Sequence, residues 1–372
     1  MNEPKQFKDY FDKKLVTKLA GLIKDVYPAF KSKVFVQRAS DQMVPLELKE
    51  RVALIAEMLR EFLPADYDKA LDVLMQTLGP EEPNRDKKFI YGLQLMPVEH
   101  FVGASGLDHF EPSMQALYEI TKRSSSEFAI RPFLIRYEKE ALNVLSKWVV
   151  DPNEDVRRLV SEGTRPRLPW AMRLPSFVDD PKPTLKLLEK LKDDPSEYVR
   201  RSVANHFNDI TKDNADLAVD VLTRWAEGAS KERMWIIRHA LRSLVKQGHT
   251  QALAILGFGI PKVKLVNFEV QTSVVEFGGA LEFVFELESE AKKSQELVID
   301  YIIHFVKANG STSPKVFKLS TRTLGGNENL VMNRKHGIKP ITTRKYYSGM
   351  HRVEVQVNGQ VLGGGYFELK MT

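Results

Sequence analysis

One segment that occurs twice constrains the fold of this chain more than any other feature. The first copy, DPNEDVRR, covers residues 151–158, and the second, DPSEYVRR, begins 43 residues later at Asp194. An Asp-Pro pair favours a turn that opens a helix, and apolar residues at helical spacing precede both copies, in 141–149 and 185–191. Repetition at this period is typical of a helical solenoid, because one helix pair cannot bury its apolar stripe alone and must stack on its neighbours.

Weaker copies extend the repeat in both directions. Downstream, Ile237 aligns with Val199 at a spacing of 38 residues. Upstream, Ile130 aligns with Val156 at the shorter interval of 26 residues, so this unit is irregular. We therefore predict an α-solenoid built from HEAT-like helical repeats.

The start of the chain also has a helical pattern. An apolar stripe over residues 7–26 predicts one helix that begins near Glu3. Two further helices are predicted over 46–62 and 67–78.

The pattern changes at about residue 258, where short segments rich in Val, Ile, Phe and Tyr alternate with Gly, Asn and Ser. Segments of this kind are typical of strands, and six or seven of them over about 110 residues favour an all-β, immunoglobulin-like sandwich. The predicted strands are 263–271, 280–287, 297–306, 315–319, 351–357 and 361–369. We predict a helical domain over 1–257 and a sandwich domain over 261–372.

Composition excludes several kinds of chemistry. The chain has no cysteine, which rules out disulfides, thiolate zinc sites, iron–sulfur clusters and cysteine nucleophiles. Its eight histidines include no pair four residues apart, so we predict neither a metal site nor a cofactor. The polar N-terminus and the absence of an 18-residue apolar run predict a cytoplasmic protein without a membrane partner. Nothing in the sequence indicates oligomerisation, and we expect a monomer.

Positive charge is concentrated near the C-terminus. Residues 307–372 contain 11 Lys or Arg and 3 Asp or Glu, whereas residues 258–306 contain 4 and 8. A basic end suits a polyanionic partner, although a solvated charged face is the simpler interpretation of such a run.

Two features near the repeats have both a structural and a functional interpretation. Residues 163–175 interrupt the array with three prolines, three arginines and Trp170, and ordering such a loop is costly unless it binds something. Ser124 and Glu127 have the spacing of a helix capping box, which alone would explain Glu127.

The repeated Asp and Arg residues themselves favour a structural role. In each copy, the aspartate of the turn and the arginine after Val are placed to bond the turn to its helix. This interpretation covers Asp151, Arg157, Asp194 and Arg200.

Three segments together closely resemble the AlkC family, bacterial 3-methyladenine DNA glycosylases of the AlkD-like HEAT-repeat superfamily. They are SSEFAIRPF at 125–133, VRRLVSEGTRPRLPW at 156–170 and YVRRSVANHFNDI at 198–210. The resemblance extends over about 7–257, and the strand-rich remainder is similar to the immunoglobulin-like domain that some members carry.

The resemblance implies a monofunctional DNA repair glycosylase that acts on double-stranded DNA. Its substrates would be cationic bases alkylated at N3, chiefly 3-methyladenine and also 3-methylcytosine. Because such a base already carries positive charge, it leaves readily, and a carboxylate is needed mainly to stabilise the oxocarbenium-like sugar and to place a water. Carried over by motif, Glu127 is the catalytic carboxylate, Asp209 and Glu162 lie nearby, and Trp170 lies against the lesion or its sugar.

Basic residues on the repeats and in the loop are candidates for phosphate contacts, which position DNA without reading its sequence. They are Arg158, Arg165, Arg167, Arg201, Arg238 and Arg242. The sandwich either shields the end of the solenoid or makes a second DNA contact. Residues for the second contact are Arg334, Lys335, Lys339, Arg344 and Lys345.

Two other functions compete with catalysis. One is a relative that binds unusual DNA structures without catalysis, and the other is a protein–protein scaffold, a common role of HEAT arrays. Joint retention of the carboxylates and Trp170 argues against the first, and the Arg-rich loop argues against the second.

Overall fold

A computed structural model describes residues 6–81 and 86–371 of the chain. The chain divides into two compact units, Met1–Asn214 and Ala215–Thr372. The predicted helix start near Glu3 lies outside the described residues. None of the helices within those residues is both long enough and apolar enough to cross a membrane.

The first unit is helical throughout its described part. It also contains two short 3₁₀ helices, Phe7–Tyr10 and Gly92–Leu95. Its α-helices in chain order are α1 (Lys13–Val26), α2 (Ser32–Met43), α3 (Leu48–Phe62), α4 (Tyr67–Gln76), α5 (Met96–Ser105), α6 (Phe110–Thr121), α7 (Arg131–Arg136), α8 (Glu138–Trp148), α9 (Glu154–Gly163), α10 (Pro175–Asp179), α11 (Lys182–Leu191) and α12 (Glu197–Ile210).

The single helix predicted over residues 7–26 is wrong, because Asp12 interrupts it. Asp12 has an extended backbone and its carboxylate accepts the N–H of Leu15 at 2.9 Å, so it caps a helix that begins at Lys13. The predicted apolar face of that helix is confirmed, since Leu15, Leu19 and Leu22 are buried. The helices predicted over 46–62 and 67–78 are confirmed as α3 and α4.

The repeated segments form the same turn twice, and the predicted structural role of their Asp and Arg residues is confirmed. Arg157 Nη1 donates to the backbone carbonyl of Asp151 at 2.8 Å, and Arg200 Nη1 donates to that of Asp194 at 2.7 Å. The structure adds a link between repeats. Arg157 also donates two hydrogen bonds, of 2.7 and 2.9 Å, to the carboxylate of Asp194. Neighbouring repeats are therefore joined by a bidentate ion pair in which Asp194 is buried and Arg157 is partly buried.

The second unit combines four helices with a β-sandwich. The helices are α13 (Ala215–Ala226), α14 (Lys231–Ala240), α15 (Arg242–Gln247) and α16 (Thr250–Ile255). The strands are β1 (Val263–Val270), β2 (Val274–Glu276), β3 (Ala280–Ser289), β4 (Gln295–Val306), β5 (Thr312–Leu324), β6 (Asn329–Gly337), β7 (Gly349–Val357) and β8 (Gln360–Lys370).

Two sheets form the sandwich, with strand orders β1-β3-β6 and β2-β8-β7-β4-β5. The pairs are antiparallel except β2 with β8. Alternate side chains of β3 point inward and pack on β4 and β7, and the core includes Phe283, Phe285, Tyr301, Ile303 and Val355. The predicted fold class, a helical-repeat region followed by an immunoglobulin-like sandwich, is confirmed.

Within the second unit, the sandwich lies directly on the last helices. Gln356 donates to the backbone carbonyl of Lys246 at 3.2 Å. Gly248, which ends α15, and Gly359, in the β7–β8 turn, both have positive φ, of 78° and 82°. A Cβ atom at Gly359 would lie 2.1 Å from the Cα of Gly248. Only two glycines allow the backbones to approach this closely. The predicted domain boundary at 257–261 stays a prediction.

Candidate active site

Helices α9 and α12 present the candidate catalytic residues. Asn153 caps α9 by accepting the N–H groups of Asp155 and Val156. Val156, Leu159 and Val160 bury the apolar stripe of this helix, so residues one turn apart on another stripe, Arg158 and Glu162, share a second face. On α12, Val199, Val203 and Phe207 are buried in the same way, and Ser202 and Asp209 are placed toward α9.

Five charged side chains form an alternating series that we call the charge chain. Arg158 lies 2.8 Å from Glu127 and 3.5 Å from Glu162. Arg165 lies 2.7 Å from Glu162 and 2.8 Å from Asp209. The structure thus brings together the three carboxylates that the sequence predicted as a group, with an arginine between each neighbouring pair.

The three carboxylates differ in the number of hydrogen bonds that they accept and in their exposure to solvent. Glu162 also accepts a hydrogen bond of 2.6 Å from Ser202, and Asp209 accepts one of 2.8 Å from Lys212. The side chains of Glu162 and Asp209 are 8% and 2% exposed, whereas that of Glu127 is 16% exposed. Glu127 is therefore the carboxylate of the charge chain most open to a ligand.

The arginines of the charge chain remain cations. Burial alone would lower the pKa of Arg158, but the charges of Glu127 and Glu162 outweigh burial and raise that pKa above its ordinary value. The same balance, with Glu162 and Asp209 as the acids, raises the pKa of Arg165. The site therefore has fixed positive charges that hold the carboxylates in position.

A fully buried arginine supports the loop that follows α9. Arg131 donates to the backbone carbonyls of Gly163 and Arg165, both at 2.9 Å, and to that of Met172 at 2.7 Å. Burial, together with the charge of Arg165, lowers the pKa of Arg131 to about 10. Sequence reasoning did not identify this role, although Arg131 lies in one of the three family segments.

His206 lies beside the charge chain and is neutral at physiological pH. Its Nδ1 is 2.9 Å from the backbone carbonyl of Ser161, and its Nε2 is buried without a partner among the described residues. Burial and the charge of Arg165 lower the pKa of His206 to about 3. It therefore adds no charge to the charge chain.

The capping-box interpretation of Glu127 is wrong. No helix begins at Ser124; its hydroxyl donates to the backbone carbonyl of Gly92 at 2.8 Å, and the next helix, α7, begins at Arg131. Glu127 lies in a turn before α7 and directs its carboxylate to Arg158. The ion pair, and not a helix cap, accounts for its position.

Trp170 lies in the loop between α9 and α10. It is 63% exposed, and its backbone has a φ of 67°, in the left-handed region that disfavours large side chains. Its carbonyl accepts a hydrogen bond from Lys49. The tryptophan lines a cavity of about 370 Å³ together with Phe128 and Ala129, the two residues after Glu127.

The arginines predicted to bind phosphate in the first unit all form ion pairs with carboxylates of the chain. Arg158 and Arg165 belong to the charge chain and pair with its carboxylates, and their phosphate contacts stay a prediction. Arg167 donates two hydrogen bonds to Asp213, at 2.5 and 2.6 Å. Arg201 is exposed and pairs with Glu197 on the same helix at 2.6 Å, a contact that solvent weakens.

The basic residues predicted in the second unit are placed differently. Arg238 and Lys339 are exposed, while Arg242 donates to the carbonyl of His239 at 2.5 Å. The others contact acidic or aromatic neighbours. Lys335 pairs with Glu282 at 2.6 Å, Arg334 lies over Tyr301, Arg344 lies 3.8 Å from the ring centre of Phe305, and Lys345 lies over Tyr347. Among the described residues, no group of three or more His, Asp or Glu side chains could hold a metal ion.

Known proteins resemble the chain over nearly its whole length. It is 38% identical over 356 residues to the uncharacterised protein YhaZ of Bacillus subtilis. The alignment covers 95% of this chain and 96% of YhaZ. The structure of the alkylpurine DNA glycosylase AlkC from Pseudomonas fluorescens, bound to DNA containing an abasic site analogue, is 39% identical with a TM-score of 0.90. That match covers 98% of this chain and 100% of AlkC. Residues 264–371 match the family described as the C-terminal Ig-like domain of uncharacterised protein YhaZ. The chain therefore belongs to the AlkC family, in the variant with a C-terminal immunoglobulin-like domain.

Proposed function

We propose that this protein is a DNA repair glycosylase that hydrolyses the N-glycosidic bond of alkylated bases in double-stranded DNA. The observation that carries the proposal is the charge chain, which holds three carboxylates together and leaves Glu127 at its most exposed end. Support also comes from the full-length likeness to a protein named as an alkylpurine DNA glycosylase. The helical region to residue 257 would be catalytic, and residues 261–372 would be accessory.

The substrates we propose are cationic bases alkylated at N3, 3-methyladenine and 3-methylcytosine. Such a base leaves as a neutral molecule without a proton from the enzyme. The charge chain suits such a substrate, because every carboxylate in it is held in position by an arginine and need not deliver a proton to the leaving base. The protein would then hydrolyse the bond without forming a covalent bond to the DNA.

In this mechanism Glu127 stabilises the positive charge that develops on the sugar and positions the attacking water. A carboxylate at about 4 Å contributes about 4 kcal/mol at an effective dielectric of about 20. Glu162 and Asp209 act as positioning residues, since their oxygens are already occupied by Arg165, Ser202 and Lys212. Trp170 contacts the cationic lesion or its sugar, where a cation–π contact contributes about 0.5–2 kcal/mol.

DNA would be held through its phosphates by exposed cations rather than by those of the charge chain. Arg238 and Lys339 are the exposed members of the predicted set in the second unit, and Arg201 is weakly paired. We expect Arg238→Ala to make the slope of log binding constant against log salt less negative by about 0.9. Arg60→Ala, an exposed arginine of α3 outside the predicted set, is the matched control. An unchanged slope for Arg238→Ala would remove Arg238 from the DNA interface.

The proposed activity is tested by incubating the full-length protein with methylated double-stranded DNA and identifying the released bases by chromatography. Release of 3-methyladenine and 3-methylcytosine, with an unbroken DNA backbone until alkali is added, is the expected result. DNA binding without base release would identify a non-catalytic DNA-binding protein. Absence of salt-dependent DNA binding would instead favour a protein–protein scaffold.

A further inference from the structure

The cavity beside Trp170 has the size and lining of a small-molecule site. Its volume is about 370 Å³, within the range of about 300–1,000 Å³ that is usual for ligand pockets. Helix α5 and the turn before α7 form much of its wall, with Met96, Phe128 and Pro132 as apolar members. It lies next to the proposed catalytic carboxylate, because Phe128 and Ala129 directly follow Glu127.

One acidic residue in this apolar wall lacks a full set of partners. Glu99 is 4% exposed and lines the cavity. Its carboxyl accepts hydrogen bonds from the backbone N–H groups of Ala129 and Phe128, but Oε1 is buried and has no partner among the described residues. A buried polar atom without a partner costs about 1–3 kcal/mol, so a ligand that reached it would recover that energy.

The protonation of Glu99 defines what such a ligand must offer. Burial, reinforced by the charge of Glu127, raises the pKa of Glu99 well above its ordinary value. A neutral carboxyl group has one O–H donor and can still accept. It pairs best with a ring nitrogen that has an amino group beside it, because the nitrogen accepts and the amino group donates.

The remaining lining favours a flat, uncharged molecule. The indole of Trp170 and the side chain of Phe128 offer aromatic surface, and His100 has its pKa lowered by burial. The cation in the lining, Lys49, is bonded to the carbonyl of Trp170. An anion would lose its hydration against the apolar atoms of the wall, and a sugar would leave its hydroxyls unpaired there.

We propose that this cavity is a binding site for a free nucleobase, an uncharged planar heterocycle with adjacent ring nitrogen and amino groups, held by Glu99 and Trp170. The choice of the excised base as the natural ligand rests on the proposed function. Neutral 3-methyladenine has the required edge and leaves the DNA beside Glu127. The cavity would then hold the product after the bond is broken and delay its release.

Calorimetric titration of free 3-methyladenine into the DNA-free, full-length protein tests the site. We expect saturable 1:1 binding that Glu99→Leu and Ala104→Phe each weaken by at least about tenfold. Glu99→Leu keeps the volume and removes the hydrogen bond, whereas Ala104→Phe fills the cavity from an exposed position of α5 and should not disturb the core. Glu111→Leu, an exposed glutamate of α6, is the matched control and should bind like the wild type.

Absence of saturable binding to the folded wild type would overturn the proposal, as would binding that neither Glu99→Leu nor Ala104→Phe weakens. A base-release assay on the same preparation separates this inference from the proposed function. Release of base from DNA without binding of free base overturns the nucleobase site and leaves the glycosylase. Binding of free base without release from DNA supports the site and overturns the glycosylase.

Discussion

Replacement of Glu127 by Gln should remove most of the catalytic acceleration while leaving the fold intact. The amide has the size of the carboxyl, and its oxygen can still accept the 2.8 Å hydrogen bond from Arg158. What is lost is the negative charge at the exposed end of the charge chain. Since the proposed substrate base is cationic, this charge would act on the sugar as the bond breaks and not on the leaving group.

The size of the effect follows from the geometry of the ion pair. With the sugar about 4 Å from the carboxylate and an effective dielectric of about 20, loss of the charge removes about 4 kcal/mol, or about a thousandfold in rate. Arg158 lies 2.8 Å from the carboxylate and so up to about 7 Å from the sugar, where its charge, then balanced only by Glu162 at 3.5 Å, repels by at most about 2.4 kcal/mol. Adding Arg158→Gln to the first variant should therefore recover part of the loss, up to about 50-fold.

Single-turnover release of 3-methyladenine measures both steps, with circular dichroism, thermal unfolding and DNA affinity as checks on each variant. Glu111→Gln, an exposed glutamate outside the site, is the control and should match the wild type. A folded Glu127→Gln variant that binds DNA normally and loses less than tenfold would refute the electrostatic role. A double variant slower than Glu127→Gln would refute the repulsion from Arg158.

Four further effects follow from the structure, all but the last measurable by urea denaturation. Asp194→Ala should lower the free energy of unfolding by about 2 kcal/mol because it removes both charged hydrogen bonds from the partly buried Arg157, whereas the exposed Glu197→Ala should change it by less than about 0.5 kcal/mol. The folded pKa of His206 is about 3, below its ordinary 6.5, so the unfolded chain binds the proton first as the pH falls. Stability should drop by about 1.6 kcal/mol between pH 6.5 and pH 5, and by less in His206→Asn; an equal drop would contradict this. Trp170→Gly relieves a left-handed backbone and should raise stability by up to about 1 kcal/mol; a loss larger than this would show that the indole is structural. The same substitution should slow base release, measured by the single-turnover assay.

The repeat was predictable because its signal is local, and the errors occurred where one polar residue or a short strand decides the structure. The apolar stripe runs through Asp12 without a change of period, so its capping bond to Leu15 was hidden. Six strands were predicted correctly, but β2 has only three residues, and in β6 the apolar residues 330–332 are followed by the polar residues 333–336, without the alternation that predicts a strand. Such strands owe their conformation to the sheet that they join.

The candidate site was predictable as a group of residue types but not as a geometry. Glu127, Glu162 and Asp209 were identified through family segments, yet their pairing depends on how α9 packs on α12. Arg165 reaches Asp209 across 44 residues of sequence, a contact that no local pattern specifies. Glu99 was missed altogether, although a lone acid in the apolar run LMPVEHF at 95–101 is a detectable signal of a buried polar group.

The contact between Gly248 and Gly359 makes the residue allowed at each position depend on the residue at the other, although the two lie far apart in the sequence. A side chain at either position would clash with the backbone of the other. Neither glycine can therefore be replaced while the β7–β8 hairpin packs against the end of α15. In a relative without the sandwich, Gly248 would no longer face the backbone of Gly359, so this steric restriction on its side chain would be absent. The positive φ of 78° at Gly248 would still favour glycine. If this sandwich were grafted onto another helical-repeat protein, that protein would need a glycine at the helix end that corresponds to Gly248. The close approach of Gly248 and Gly359 thus limits which helix ends this sandwich domain can pack against.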